Sequence, residues 1–173
     1  MKIYVDTSCL RSNVSRHSDT KSQRELAALE QLAEQYSLFG SRLTFREIMD
    51  TAKASHRENL IIDYKALQPI QNDERLLGFN TLSDPYGGFI CHPIMQDCQD
   101  EALRMELIEA GLEPKDAEHI VQAVCNDCGV FLTRDENTII KPHRQWLKQR
   151  FPNLRIRLPS ELLSEIVPAT SLS

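Results

Sequence analysis

Short apolar runs alternate along this chain with longer segments in which apolar residues recur at helical spacing. The runs that predict strands are 3–6, 37–41, 130–133 and 154–158. The segments that predict helices are 21–36, 44–54, 56–67, 97–110, 114–128, 142–150 and 160–166. Strands that alternate with helices favour a parallel sheet covered on both faces. We therefore expect an α/β fold, with a central and mainly parallel sheet between helices.

The length and composition agree with one folded domain. The chain has 173 residues, of which 41% are hydrophobic and 26% are charged. This balance is typical of a globular protein, and the length lies near the mode for single domains. No apolar run reaches the roughly 20 residues of a membrane-spanning helix, and the start MKIYVDTS lacks an apolar stretch of signal-peptide length. We therefore expect a cytoplasmic protein without a membrane partner.

Residues 78–93, GFNTLSDPYGGFICHP, interrupt the alternation. They contain three of the six glycines and two of the eight prolines of the chain, which is typical of a loop. A loop of this length is uncommon in a compact domain. We expect a loop-rich insert at about 78–96 within a single domain spanning 1–167, followed by a flexible tail at 168–173.

Four acidic side chains stand where strands end or helices begin. Asp6 and Asp135 follow predicted strands, and Glu47 and Asp116 lie in the first turns of predicted helices. Ligands of parallel sheets bind outside the carboxyl ends of the strands, so this placement is a functional signal. Each position also has a structural explanation. Asp6 and Asp135 could cap helices, Asp116 suits the helix dipole, and Glu47 completes a capping box with Thr44.

The order and spacing of these pieces resemble the PIN-domain family of metal-dependent ribonucleases, which includes the toxins of many bacterial and archaeal toxin–antitoxin pairs. The resemblance covers about residues 1–160 and depends on IYVDTS at 3–8, Glu47, DAEHIVQA at 116–123 and FLTRD at 131–135. This chain is longer than the small toxins, because its middle is enlarged. The resemblance implies catalysis and metal ligation by Asp6, Glu47, Asp116 and Asp135, with supporting hydrogen bonds from Ser8 and Thr133.

The chemistry of such a carboxylate set is that of hard divalent cations. Four carboxylates that converge on one pocket repel one another unless a cation holds them. All-oxygen ligands suit Mg²⁺ or Mn²⁺ rather than zinc, and two ions roughly 3.5–4 Å apart could share the whole set. We expect one or two such ions. The resemblance implies hydrolysis of RNA phosphodiester bonds that leaves a 5′-phosphate and a 3′-hydroxyl.

Basic side chains indicate where an RNA backbone would lie. Residues 134–157 hold seven basic and two acidic residues, although the whole chain has a net charge of −5. Phosphate contacts of this kind position RNA without reading its sequence. The RNA-binding residues that we predict are Arg11, Arg16, Lys21, Arg134, Lys141 and Arg144. Tyr86 and Phe89 could stack on a base, although packing of the loop against the core is the favoured explanation.

The cysteines form a weaker pattern. Five cysteines in a cytoplasmic chain are expected to be reduced, and an odd number does not fit a complete disulfide framework. Cys125 and Cys128 form a CxxC motif. Zinc binding would require Cys91, His92 or Cys98 beside them, and one CxxC alone is weak evidence for it.

One histidine and several absent motifs complete the survey. His119 follows Asp116 at i+3 on a predicted helix and could bind a metal, but a partly buried structural histidine is the favoured interpretation. The sequence has no GxGxxG, P-loop or GxSxG motif. Dinucleotide-binding oxidoreductases, P-loop NTPases and serine hydrolases of these types therefore have no support.

Two functions from different classes follow. The first is a Mg²⁺- or Mn²⁺-dependent endoribonuclease, with the toxin role implying a protein antitoxin that covers the acidic pocket. The second is a non-catalytic PIN-like scaffold for RNA binding or assembly, which the four filled acidic positions disfavour. The resemblance also implies a homodimer.

Overall fold

The structure is a computed structural model that describes residues 1–10, 20–70, 74–83, 89–97 and 100–166, and within 74–97 it describes the strands without their side chains. Among these residues, a central sheet of five strands is parallel throughout, and a separate pair is antiparallel. The central strands, in spatial order, are β3 (Gln68–Pro69), β2 (Leu38–Gly40), β1 (Ile3–Val5), β6 (Val130–Leu132) and β7 (Arg155–Arg157). The antiparallel strands are β4 (Glu74–Ser83) and β5 (Phe89–Asp97).

Helices connect the strands and confirm the predicted α/β class. They are α1 (Thr20–Gln35), α2 (Arg42–Met49), α3 (Ala54–Lys65), α4 (Glu101–Glu109), α5 (Pro114–Cys125), α6 (Lys141–Arg150) and α7 (Pro159–Ile166). A 3₁₀ turn covers Thr7–Cys9, and a π-helical turn covers Glu136–Ile140. No helix in the described part of the chain is long and apolar enough to cross a membrane.

The central strands are buried on both faces because helices pack on both sides of the sheet. Successive strand residues point to opposite faces. Tyr4 and Phe131 therefore join the core formed with α4, α5 and α6, whereas Ile3, Val5 and Leu132 join the core formed with α1 and α7. All five side chains are fully buried, which fixes the edge at which β1 and β6 end.

Local signals for the ends of helices explain how α5 is placed. Gly111 follows α4 with a φ of +99°, a conformation that L side chains rarely adopt, and two backbone hydrogen bonds close the turn: Gly111 N to Ile108 O (2.9 Å) and Leu112 N to Leu107 O (3.1 Å). Pro114 then occupies the first turn of α5, as the sequence predicted.

Two local predictions are wrong. Strands β4 and β5 cover most of the predicted loop at 78–93, because the two segments pair antiparallel from Glu74 and Asp97 to Ser83 and Phe89, and local Gly and Pro signals do not reveal such long-range pairing. The capping box of Thr44 and Glu47 is absent, because α2 already begins at Arg42 and both residues lie inside it. The predicted tail at 168–173 and the residues between β4 and β5 lie outside the described part of the chain.

Candidate metal centre

The candidate site lies where β1 and β6 end side by side. The two strands are parallel neighbours in register from Ile3 and Val130 to Val5 and Leu132. The backbone N–H of Asp6 donates to Leu132 O at 2.9 Å, which fixes the first residue after β1 against the end of β6. Asp6 and the segment leading to Asp135 therefore meet at the same edge of the sheet, as the sequence predicted.

Asp6 is held by two hydroxyl groups. The residue is 7% exposed, and its Oδ2 accepts hydrogen bonds from Thr133 Oγ1 at 2.8 Å and from Ser8 Oγ at 2.5 Å. Ser8 Oγ also accepts from the backbone N–H of Arg134 at 3.0 Å. Ser8 and Thr133 thus make the supporting contacts expected of them, and they orient the Asp6 carboxylate from both strands.

Glu47 reaches the same edge from α2. Its Oε2 accepts a hydrogen bond from Thr7 Oγ1 and lies 3.1 Å from His119 Nε2. Burial alone would raise the pKa of Glu47, but the adjacent His119 and the hydroxyl group of Thr7 outweigh it, so that this pKa is lowered. Glu47 is therefore a carboxylate at neutral pH. It contacts Thr7, which follows β1, and His119 on α5.

His119 lies beneath the carboxylates on α5 and is 2% exposed. Its Nδ1 lies 2.6 Å from the hydroxyl group of Tyr4, which lies 2.7 Å from Ser41 Oγ. Apart from the 3.1 Å approach to Glu47 Oε2, its Nε2 has no polar partner among the described residues. Burial lowers the pKa of His119, but the carboxylates of Glu47 and Asp6 outweigh burial and raise it.

Asp116 occupies the first turn of α5, beside the same edge. Its Oδ2 accepts a hydrogen bond from Thr138 Oγ1 at 3.0 Å. Burial, followed by the charges of Asp6, Asp135 and Glu113, raises the pKa of Asp116 from 3.8 to about 6. Burial is the largest cause of this rise, and the neighbouring carboxylates add to it.

Asp135 both follows β6 and caps the next turn. Its Oδ1 accepts from the backbone N–H groups of Asn137 at 3.2 Å and Thr138 at 3.0 Å. The structural role considered for Asp135 is therefore present. The cap holds Thr138, which in turn binds Asp116, so that this residue also shapes the site.

The described residues contain one compact group with ligand atoms suited to a metal. One ligand atom each of Asp6, Glu47 and His119 lies within 4.8 Å of the others. Asp116 and Asp135 lie outside this group, and the charge of Asp135 contributes to the raised pKa of Asp116. The structure thus brings together two of the predicted carboxylates and adds His119, for which the sequence favoured a structural role.

The predicted basic residues divide into three kinds. Lys21, Arg134 and Lys141 line a cleft of about 590 Å³ together with Ser8, Asp135, Glu136 and Asn137. Arg144 instead forms a two-pronged ion pair with Glu161, at 3.0 and 2.7 Å, because the two side chains of α6 and α7 face each other. Arg11 and Arg16 lie outside the described residues.

Arg134 connects the cleft to the carboxylates. Its guanidinium donates to Ser8 O at 3.2 Å and to Ser22 Oγ at 3.0 Å. Lys21 pairs with Glu136, and Lys141 donates to Asn137 Oδ1 at 3.1 Å. The cleft therefore carries positive charge on its rim and opens next to Asp135.

The zinc alternative gains no support from the described side chains. Cys125 and Cys128 are free thiols, and burial raises the pKa of Cys128 to about 11, which disfavours the thiolate that zinc binds. The side chain of Cys91 and the whole of Cys98 lie outside the description, as do Tyr86 and the side chain of Phe89.

Comparison with known proteins assigns no relative. No family model, no curated protein and no solved structure matches this chain. The candidate site is therefore defined by its own contacts: a buried histidine and two carboxylates in one group, a third carboxylate with a raised pKa, and a basic cleft alongside.

Proposed function

We propose that this chain is a Mg²⁺- or Mn²⁺-dependent endoribonuclease that hydrolyses RNA phosphodiester bonds. The observation that carries the proposal is the group formed by Asp6, Glu47 and His119, whose ligand atoms lie within 4.8 Å of one another at the carboxyl edge of a parallel sheet. Asp116 adjoins this group with a pKa raised to about 6. Crowded acidic groups of this kind suit a divalent cation better than any other ligand.

The donor atoms fit such an ion. Asp6 and Glu47 supply carboxylate oxygens, and the buried Nε2 of His119 lies with them, 3.1 Å from Glu47 Oε2. A bound divalent ion supplies positive charge that stabilises the transition state of phosphoryl transfer and promotes ionisation of a water. The protein contributes orientation. Thr133 and Ser8 fix Asp6, Thr7 contacts Glu47 and Thr138 holds Asp116.

The basic cleft supports RNA as the substrate. Lys21, Arg134 and Lys141 line it beside Asp135, so that a phosphate backbone in the cleft would pass the carboxylates. Two acidic side chains, Asp135 and Glu136, share its wall. In a cleft of this mixed charge, a few basic side chains can hold the RNA backbone. A bound metal ion would hold the phosphate that is cleaved.

The test is cleavage of a structured RNA pool by purified protein with Mn²⁺ or with EDTA. We expect cleavage with Mn²⁺ only, products with 5′-phosphates, and a loss of at least about a hundredfold for Asp6→Asn, because the variant keeps the shape but removes a metal-binding charge. Glu109→Gln is the matched control. Glu109 is exposed on α4 and should retain activity.

Cleavage that persists in EDTA, or survives in Asp6→Asn, would refute the proposal. RNA binding without cleavage, equal in both proteins, would instead favour the non-catalytic scaffold. The toxin role, a protein antitoxin, a homodimer and a cytoplasmic location remain predictions of the sequence. Growth arrest on expression without a partner, abolished by Asp6→Asn, is the result that the toxin role requires.

A further inference from the structure

His119 is the group in the site for which the carboxylate chemistry alone gives no role. The residue is 2% exposed, and in the described residues the buried Nε2 has no polar neighbour within bonding distance other than Glu47 Oε2 at 3.1 Å. A buried polar atom left unpaired costs roughly 1–3 kcal/mol, so such atoms in native proteins call for an explanation. Nε2 points into the group formed with Asp6 and Glu47.

The opposite side of the imidazole ring is fully engaged. Nδ1 lies 2.6 Å from the Tyr4 hydroxyl group, which lies 2.7 Å from Ser41 Oγ, and Tyr4 and Ser41 are both fully buried. Each hydroxyl group can donate or accept, so a ring that carries its proton on Nδ1 can donate it to Tyr4, which then donates to Ser41. That tautomer leaves the lone pair of Nε2 directed at the carboxylates, which is how histidines that bind metals are oriented.

The spacing around Nε2 suits a single ion. Adjacent ligands of an octahedral ion with bonds of about 2.1 Å lie about 3.0 Å apart, and opposite ligands lie about 4.2 Å apart. Nε2 of His119 lies 3.1 Å from Oε2 of Glu47, and the ligand atom of Asp6 is within 4.8 Å of both. One ion therefore fits among the three atoms after small side-chain rotations.

We propose that Nε2 of His119 is a metal ligand, and that with Asp6 and Glu47 it makes the site selective for Mn²⁺ or a similar transition-metal ion over Mg²⁺. The inference rests on the proposed function, because it names the ion of the same site. Imidazole nitrogen binds first-row transition ions well, whereas Mg²⁺ prefers oxygen ligands and retained waters. Asp116 and Asp135 would then act around the ion without belonging to this group of three.

The direct test is pulsed electron paramagnetic resonance of Mn²⁺ bound to the full chain. We expect coupling of the Mn²⁺ spin to a histidine nitrogen, and a changed pattern when the protein is grown with ¹⁵N-labelled histidine. In a parallel titration, Mn²⁺ should bind at least about tenfold more tightly than Mg²⁺. His119→Gln should lose the nitrogen coupling and bind Mn²⁺ about tenfold or more weakly, since even outer partners of metal ligands contribute about 10–100-fold.

His143→Gln is the matched control, because it removes a histidine from α6 and should keep both the coupling and the affinity. His119 is buried, so a second variant guards against misfolding of His119→Gln. Tyr4→Phe keeps the ring that packs on Phe131 but removes the hydroxyl group near Nδ1. It should keep the nitrogen coupling and bind Mn²⁺ about tenfold or more weakly.

Mn²⁺ bound to the wild-type chain without nitrogen coupling, or with equal affinity for His119→Gln, would overturn the proposal. RNA cleavage that needs Mn²⁺ and Asp6 would in that case leave the proposed function intact. Absence of both Mn²⁺ binding and cleavage would overturn the two together. The spectroscopic and cleavage measurements therefore separate the failure of one from the failure of the other.

Discussion

Replacing Asp116 by Asn tests whether charge repulsion destabilises the metal-free site. Burial and the charges of Asp6, Asp135 and Glu113 raise the pKa of Asp116 from 3.8 to about 6. The folded protein therefore binds this proton more tightly than the unfolded chain. The resulting stabilisation is fully present below pH 3.8 and is lost as the pH rises through about 6, so at pH 7.5 the ionised group opposes folding.

The magnitude follows from that pKa. The difference between 3.8 and about 6 corresponds to about 3 kcal/mol at full value. Asp116 is only partly buried, so solvent screening reduces this figure to about 1–1.5 kcal/mol. Asn can still accept the hydrogen bond from Thr138, and a protein of this size gains about 2–4 °C per kcal/mol. Asp116→Asn should therefore melt about 2–6 °C above the wild type in EDTA at pH 7.5.

Thermal unfolding in EDTA measures the stability of the metal-free proteins, and unfolding with excess Mn²⁺ measures how much each protein gains from the metal. At pH 4 the advantage of Asp116→Asn in EDTA should vanish. A ligand at a hundred times its Kd stabilises by about 2.7 kcal/mol, so Mn²⁺ should raise the melting temperature of the wild type well above that of the variant. Glu109→Gln, an exposed carboxylate on α4, is the control and should match the wild type throughout.

The reasoning is refuted if Asp116→Asn melts at or below the wild type in EDTA at pH 7.5. It is also refuted if the variant gains as much from Mn²⁺ as the wild type does. The first result would mean that burial and the neighbouring charges do not make ionised Asp116 unfavourable in the metal-free protein. The second would mean that Asp116 does not contribute to metal binding.

Three further predictions concern residues outside the group of Asp6, Glu47 and His119. Glu25→Gln should lower the free energy of unfolding in urea by about 1–3 kcal/mol, because buried Glu25 accepts from Ser160 N at 2.9 Å and Oγ at 2.6 Å; no loss would contradict this. Gly111→Ala should cost about 1–2 kcal/mol in the same assay, since φ is +99° and its Cβ would lie 3.3 Å from His143; unchanged stability would count against it. Lys141→Gln should weaken RNA binding and make it less sensitive to salt, whereas equal salt slopes would remove Lys141 from the interface.

Much of the fold could be predicted from the sequence because its signals are local. The β1 residues Ile3 to Val5 form a β-favouring run that ends at a charged residue, and Gly111 and Pro114 mark the turn between α4 and α5. The hairpin of β4 and β5 was missed because Gly and Pro indicate a loop or a turn equally well. Only strand pairing, a long-range property, distinguishes the two.

The candidate site was harder to predict because the order and direction of the strands decide which distant side chains come together. Asp6 and Asp135 were placed correctly, since carboxyl ends of parallel strands share an edge. His119 was assigned a structural role because spacing along α5 does not reveal which buried side chain faces the carboxylates. The ion pair of Arg144 with Glu161 was not predicted, because Glu161 lies on α7 and is distant from Arg144 in the sequence.

The i+3 spacing of Asp116 and His119 was the one signal that pointed to His119. It places both side chains on one face of α5, and His119 on that face lies in one group with Asp6 and Glu47. A rule that gives weight to an Asp-x-x-His pair next to a strand-end carboxylate would have included His119 among the candidate ligands.

The proposed function requires that the edge of the sheet at Asp6 holds a divalent metal and supports RNA hydrolysis. The most direct measurement is the rate of RNA cleavage by one sample of protein, first in EDTA and then after Mn²⁺ is restored, beside Asp6→Asn. The account predicts no cleavage in EDTA, full recovery with Mn²⁺ and none in the variant at any Mn²⁺ concentration. Cleavage in EDTA, or equal rates for the two proteins, would contradict it.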